Sequence, residues 1–278
     1  MNKKALHLAT AVVMAFSIVF TWASCSRETG SKIVIKGSTT VLPITQKAAE
    51  AFKKSNPKIS ISIEGSGSGN GIKAIIDGSC EIANSSREMK PEEIVKAKAR
   101  GVVIKEIIVG IDMLCPVIHP SNPVKDLTLV QLKGIYDGSI TNWKQIGGGD
   151  QNIVVISRDT SSGTYESWNE KVMKKSDVRR DALLQASNGA VVSSVAENPR
   201  AIGYIGYGYI NDSIKSITVN NIEATIENGK SGKFPLARNL YMYINTEKIS
   251  EHSMAFIDFL TGVEGQALVK EAGFIPVR

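Results

Sequence analysis

Ile33-Val34-Ile35 runs into Gly37-Ser38-Thr39-Thr40-Val41-Leu42-Pro43, and the apolar spacing from Ile44 to Lys53 is helical. A short β-branched strand therefore passes through a polar turn into a helix. The same plan follows immediately. Ile59, Ile61 and Ile63 alternate with Ser60, Ser62 and Glu64 as in a half-buried strand, before the glycine-serine loop Gly65 to Gly71 and a helix over Ile72 to Asp77. A third strand, Glu81 to Asn84, ends in Ser85-Ser86-Arg87, and Pro91 stands in the first turn of a helix reaching Ala99. Repeated strand-turn-helix units predict an α/β fold with a mostly parallel sheet covered by helices.

Outward from this run, Val102 to Ile118 is a long apolar stretch broken by Lys105, Glu106, Gly110 and Asp112. It is too interrupted for a membrane span and suits a strand that leaves a first lobe. Pro116, Pro120 and Pro123 mark a stiff connection, and new α/β units begin at Leu127 to Tyr136, Ile153 to Ile156 and Ile202 to Tyr209. The second of these leads into Ser157 to Thr164 and a helix from Tyr165. A second apolar strand, Leu240 to Ile244, precedes helices at His252 to Leu260 and Glu264 to Glu271. Two connecting strands predict two crossings, with one lobe formed by 31–114 and 240–278 and the other by 115–239.

The amino terminus is of a different kind. Lys3 and Lys4 precede a mostly apolar run from Ala5 to Ala23, and the small residues Ala23 and Ser24 sit just before Cys25. This predicts a secretory signal peptide over 1–24. The cysteine after two small residues resembles the lipobox of bacterial lipoproteins, which implies lipidation at Cys25 and a membrane anchor, followed by a polar tether at 25–30. Trp22 departs from the aliphatic residue usual three positions before such a cysteine. An uncleaved anchor or a free Cys25 are the alternatives.

Removing Lys3 and Lys4 from the formal charge of +6 leaves +4, with basic residues scattered among acidic ones, so no nucleic-acid surface is expected. Cys80 and Cys115 are expected as two buried thiols in a compartment that also permits a disulfide. The three histidines, His7, His119 and His252, make no metal-binding spacing with the cysteines, and no metal site or cofactor is expected.

Three loops that follow strands and open helices carry the chemistry. The start of a helix presents unpaired N–H groups and partial positive charge, so an anion can be held there without a metal. Ser38, Thr39 and Thr40 precede the first helix as N-cap residues would, and would do so whether or not anything binds. Gly65-Ser66-Gly67-Ser68-Gly69-Asn70-Gly71 is neither a Walker loop nor a dinucleotide fingerprint, but four glycines in seven residues are costly to order unless close approach is needed. In Ser157-Arg158-Asp159-Thr160-Ser161-Ser162-Gly163-Thr164, Arg158 can fork onto two anion oxygens while Ser162, Thr164 and backbone N–H groups cover the others. An Arg158–Asp159 pair on a solvated turn is the alternative.

Taken in order, Gly37-Ser38-Thr39-Thr40, Gly67-Ser68-Gly69-Asn70-Gly71, Ser85-Ser86-Arg87 and the Ser157 to Thr164 loop resemble the phosphate-binding protein of the bacterial phosphate ABC transporter. Ala201-Ile202-Gly203-Tyr204-Ile205-Gly206-Tyr207 is similar to a further segment of that family. The resemblance covers essentially the whole chain after Cys25. It implies a two-lobed periplasmic-binding fold with phosphate at the hinge cleft, permease and ATPase partners in the membrane, and a monomer. It also implies binding by Ser38, Thr39 and Thr40 from the first helix, Ser68 from the second, and Arg158, Ser162, Gly163 and Thr164 from the other lobe. Longer family members place an aspartate where this chain has Ser86, next to Arg87; Ser86 and Arg87 are the expected substitutes, Arg87 pairing with the ligand or with Glu88. Sulfate and molybdate are the rival ligands, and a sensory or adhesive lipoprotein is the rival role. No nucleophile-base pair or metal cluster of an enzyme is legible, and no catalytic residue is expected.

Overall fold

Residues 32–278 are described by the computed structural model; the expected signal peptide over 1–24, Cys25 and the expected tether at 25–30 lie outside the described residues. The first three strand-helix units form where the apolar spacing places them. Strand β1 (Lys32–Gly37) leads to helix α1 (Leu42–Ser55), whose Ile44, Ala48 and Phe52 form one buried face. Strand β2 (Ser60–Gly65) leads to helix α2 (Ser68–Asp77), and β3 (Ile82–Ser85) to α3 (Pro91–Ala99). Helix α2 begins four residues earlier than its apolar pattern, because Ser68 to Gly71, expected as loop, form its first turn.

The long strand β4 (Ile104–Ile118) follows, then β5 (Asp126–Leu127), α4 (Leu129–Asp137), β6 (Val154–Arg158) and α5 (Gly163–Trp168). A turn of π-helix, Asn169–Met173, continues α5. Next come β7 (Leu183–Gln185), α6 (Asn188–Ala196) and β8 (Ala201–Gly206), which gives way to a 3-10 turn at Tyr207–Tyr209 rather than extending as a strand. The chain closes through β9 (Lys215–Ser216), β10 (Thr218–Val219), α7 (Ile226–Lys230), β11 (Ala237–Asn245), α8 (Glu251–Thr261) and α9 (Val263–Glu271).

One sheet runs in the order β2-β1-β3-β11-β4-β8-β6-β7. The β2-β1-β3 pairs are parallel, as is β6 with both β7 and β8, whereas β11 is antiparallel to β3 and β4. Strand β4 changes partner along its length. Ile104 to Met113 pair with β11, and Leu114 to Ile118 pair with β8, so one uninterrupted strand belongs to two lobes. The register of β4 on β11 shifts between Leu240 and Tyr241.

The buried apolar residues divide accordingly. In the first lobe Ile33, Ile35, Phe52, Phe256 and Leu260 fill one face of the sheet, while Ile72, Ile75, Cys80, Ala83 and Tyr243 fill the other. The second lobe has a core of its own, in which Trp168 stacks on Tyr204 at 4.3 Å between ring centroids with planes 6° apart. Cys80 and Cys115 are buried free thiols, and burial pushes Cys80 up to about 12. Each serves packing, as small apolar residues do. Among the described residues no helix is long and apolar enough to cross a membrane.

Candidate functional site

The carboxyl ends of β1, β3 and β6 and the starts of α1, α2 and α5 meet between the lobes. Their side chains are polar, yet Ser38, Thr39, Thr40, Ser68, Ser86, Arg158, Ser162 and Thr164 are all buried. Burying this many hydroxyls is unfavourable unless each finds a partner, so the contacts across the lobes are informative. Thr40 Oγ1 lies 2.9 Å from Thr164 Oγ1 across the lobes, and within the first lobe Ser68 Oγ lies 3.3 Å from Ser86 Oγ. Ser68 Oγ also accepts the Ser86 amide at 3.0 Å. Backbone joins backbone where the Gly69 amide donates to Ser161 O at 2.9 Å.

Two glycines let the lobes come this close. A Cβ on Gly163 would stand 2.7 Å from Ser86 Oγ, and one on Gly67 would stand 2.6 Å from Ser161 Oγ. Gly67 also has φ of +104°, a conformation that side chains rarely adopt. Without a Cβ at these points the strand ends of one lobe meet the helix starts of the other.

The hydroxyls divide by role. Ser162 is the N-cap of α5, accepting the amides of Thr164 and Tyr165 at 3.2 Å each. Ser38 Oγ accepts the Thr40 amide at 3.1 Å and is held by its own turn. Thr39 and Thr40, expected as N-caps, are not caps: Val41 holds that position with no side-chain bond, and both threonine hydroxyls face the other lobe.

Arg158 is 1% exposed, which rules out the solvated turn. Its Nε and Nη2 donate to the carbonyls of Gln185 and Ala186 at 2.9 Å each, Asp159 Oδ2 stands 3.9 Å away, and Nη1 is buried with no partner among the described residues. Burial lowers its pKa against the pull of Asp159, yet an arginine stays charged. Two neutral carbonyls orient the fork, and its charge is offset only by Asp159 at 3.9 Å. Tyr204 supports the strand end from behind: its hydroxyl contacts Ser157 Oγ at 2.9 Å and accepts the Arg158 amide at 3.2 Å.

Arg87 corrects the expectation drawn from its neighbours. Its Nη1 and Nη2 donate to the two oxygens of Glu93 at 2.8 Å each, and Nη1 also donates to Glu88 O at 2.7 Å. Glu93 accepts the Lys90 amide at 2.8 Å as part of a capping box on α3, so helix α3 claims the guanidinium at the rim of the cluster.

Three buried residues at the centre were not legible as site residues. Asn188, at the start of α6, donates to Thr39 Oγ1 and Thr40 Oγ1 at 3.1 Å each and accepts the Gly206 amide at 3.1 Å. Arg238 on β11 donates through Nε and Nη2 to Asp112 Oδ2 on β4 at 3.0 and 2.8 Å. Asp112 was visible only as a charge interrupting an apolar strand, which is itself a signal that a partner exists. Burial raises the Asp112 pKa and lowers that of Arg238, while each supports the other's charge.

Further contacts shut the cluster in. Lys90 Nζ on the first lobe lies 2.6 Å from Glu166 Oε1 on the second, and the Tyr209 hydroxyl donates to Thr39 O. Beside Ser86 and Arg238 a groove of about 1090 Å³ opens, where Lys90, Lys171, Lys174, Lys175 and Lys230, with Arg87 and Arg238, outnumber Glu88, Glu92, Glu166 and Glu170. A lysine-lined approach raises the local concentration of anions.

Two lobes joined by continuous strands, with helix starts converging on enclosed hydroxyls and an arginine, define a solute-binding protein of the two-lobed type. Residues 23–264 match the model of a PBP superfamily domain. The chain is 34% identical over 267 residues to the phosphate-binding protein PstS of Borreliella burgdorferi, covering 92% of this chain and 94% of that one. A Clostridium perfringens protein crystallised with bound phosphate superposes with a TM-score of 0.84 at 39% identity, covering 89% of this chain and 100% of that one. An ABC-type phosphate transport receptor from Vibrio cholerae superposes with a TM-score of 0.72 at 34% identity, covering 87% and 99%. The chain belongs to the PBP superfamily, and within it to the substrate-binding proteins of phosphate ABC transporters.

Proposed function

We propose that this protein captures inorganic phosphate outside the cytoplasm and delivers it to an ABC importer. The observation that carries the reading is the unpartnered, fully buried Nη1 of Arg158 among hydroxyls drawn from both lobes. A buried donor without a partner is costly, and an anion oxygen repays it with a charge-assisted bond. The bound anion is held by Arg158 and by hydroxyls and amides of Thr39, Thr40, Ser68, Ser86, Ser162, Gly163 and Thr164. Ser38 orders the first turn, and Arg87 steadies α3.

Capture proceeds by closure of the lobes about β4 and β11, which absorb the rotation where β4 changes partner and where the register shifts at Leu240. Nothing in the cluster is arranged to break a bond: no base stands beside an activated nucleophile, and the role is binding. Export by the segment 1–24, a lipid on Cys25 and partnership with permease and ATPase subunits complete the proposal, supported by the sequence of the amino terminus and by the family.

Calorimetric titration of the purified protein, stripped of bound anion, with phosphate, sulfate and molybdate at pH 7 tests it. Tight one-to-one binding of phosphate in preference to the others is expected. Preference for sulfate or molybdate would overturn the ligand and keep the transport role.

A further inference from the structure

Basic residues that are scattered along the sequence are gathered by the fold at one end of the first lobe. Strands β1, β2 and β3 run parallel, so their amino ends and the carboxyl ends of the helices that join them share the pole opposite the anion cluster. Lys53 and Lys54 close the last turn of α1 on one face of the sheet, and Lys96 and Lys98 close that of α3 on the other. Lys32 opens β1 between them. Lys248 stands in the turn after β11, whose end pairs with the start of β4. All six lysines are exposed.

Helix dipoles explain part of this gathering. The carboxyl end of a helix carries about half an elementary negative charge, which favours a lysine in the last turn. Helices α1 and α3 each hold two, and Lys32 and Lys248 lie outside any helix. Acidic residues do not cancel the remainder. Asp77 is engaged by both Lys73 and Arg100, which leaves that group positive, and Glu81, Glu247 and Glu251 are fewer than the lysines. Beside Lys96 and Lys98 stands Val95, 65% exposed, and past the end of α3 stands Val103, 50% exposed. The surface is both basic and apolar.

Such a surface fits an anionic bilayer, whose headgroups attract lysines and admit apolar side chains to a shallow depth. The course of the chain gives the direction in which that membrane lies. It enters the fold at Lys32, within this pole, and Cys25 stands seven positions earlier, a stretch that spans at most about 25 Å. We infer that the lysine pole of the first lobe is a docking surface for anionic lipid headgroups, a second membrane contact beside the lipid proposed on Cys25. Its orientation rests on that anchor reading. A lipid fixes one point of the chain and leaves the body free to turn, and a charged face next to it sets which side meets the membrane.

The anion cluster lies at the carboxyl ends of β1 and β3, and β1 is 6 residues long, so about 20 Å of strand separates the cluster from the pole. Resting on its lysines, the protein holds the cluster on the side away from the bilayer, toward the solute. Delivery to a permease, as proposed above, then requires the pole to let go. A contact made by exposed charges is screened by salt and releases readily.

The test is vesicle co-sedimentation at low salt with the chain from Ser26, which contains every core residue described above and carries no lipid; urea unfolding shows that each variant is folded. The wild type is expected to bind vesicles of phosphatidylcholine mixed with phosphatidylglycerol, not phosphatidylcholine alone, and to detach as salt rises. Lys53→Gln/Lys54→Gln/Lys96→Gln/Lys98→Gln should bind at least about tenfold more weakly, since each lysine near the surface adds to the attraction. Its phosphate affinity by calorimetry should be unchanged. Lys171→Gln/Lys174→Gln/Lys175→Gln/Lys230→Gln, which removes the same charge from the groove, should keep wild-type vesicle binding. Equal losses in the two variants, or a wild type indifferent to phosphatidylglycerol, would overturn the inference. So would a wild type that ignores vesicles and binds soluble polyphosphate through the same lysines. The anchor is read separately, by mass spectrometry of the chain recovered from membranes: a Cys25 without lipid would overturn the anchor and leave the vesicle result to uphold or sink the pole.

Discussion

At the end of β3 the chain reads Ser85-Ser86-Arg87, and at the end of β6 it reads Ser157-Arg158. Both place an arginine beside hydroxyls at the boundary of the lobes, and both arginines are largely buried, with side chains 10% and 1% exposed. Arg87 meets a carboxylate in its own lobe, so its charge is neutralised and both terminal nitrogens are taken, leaving only the buried Nε without a partner among the described residues. Arg158 meets two carbonyls, which orient it without neutralising it, and its nearest carboxylate, Asp159, stands off at 3.9 Å. The nature of the partner, more than burial or position at a strand end, decides whether a guanidinium is available to a ligand.

The largest effect expected from this contrast is on binding. Arg158→Ala should weaken phosphate binding by about 2 to 5 kcal/mol, because it removes a buried charge-assisted contact. Arg87→Ala should change the same calorimetric affinity by less than a factor of about ten, equivalent to about 1.4 kcal/mol, since its bonds go to Glu93. Equal losses in the two variants would erase the distinction.

The second test concerns stability. Glu93 is held below its ordinary range: burial raises it, but the Arg87 bonds and the Lys90 amide outweigh that. A depressed carboxylate stabilises the fold above its unfolded pKa, and that contribution is lost as pH falls through the lower folded value. Glu93→Gln should cost about 1.5 to 3 kcal/mol in urea unfolding at neutral pH, the range for charged hydrogen bonds. The gap between the variant and the wild type should narrow as pH falls below the ordinary glutamate range. A gap that widens in acid would refute the assigned sign.

The smallest effect belongs to the clasp between Lys90 and Glu166, whose side chains are 36% and 26% exposed. Lys90→Gln should cost about 0.2 to 1 kcal/mol of closure, read as faster phosphate release in stopped flow, with a difference that fades at high salt. Loss as large as that of Arg158→Ala would move the clasp from the rim to the centre of the mechanism.

Much of the fold was legible because it rests on short-range pattern. The alternation of Ile59, Ile61 and Ile63, Pro91 at a helix start and the apolar spacing of α1 each declare their element locally. Ser68 to Gly71 were misread as loop because glycine carries no apolar signal, although a helix packed against β1 needs that absence of side chain. The hydroxyl loops were legible as a group through their order along the chain. The Glu93 partner of Arg87 was not legible because it stands six residues onward and serves a helix cap. Asn188 and Arg238 were missed for a different reason: the threonine hydroxyls they bond lie between 74 and 198 residues away in sequence, and no local pattern carries that information.

Strand β11 sits between β3 and β4 at the middle of the first lobe, yet it is the last strand in the chain. A polypeptide emerging amino terminus first therefore completes the whole second lobe before the first lobe can join its two halves. Until residues 237–245 arrive, β3 and β4 each present an open edge, and the first lobe cannot gain cooperative stability. Such late, non-local pairing makes folding slow. In a chain exported unfolded, as proposed above for this one, this order of assembly extends the time during which it remains competent to be threaded through a membrane, at the expense of a longer exposure to aggregation through those two edges.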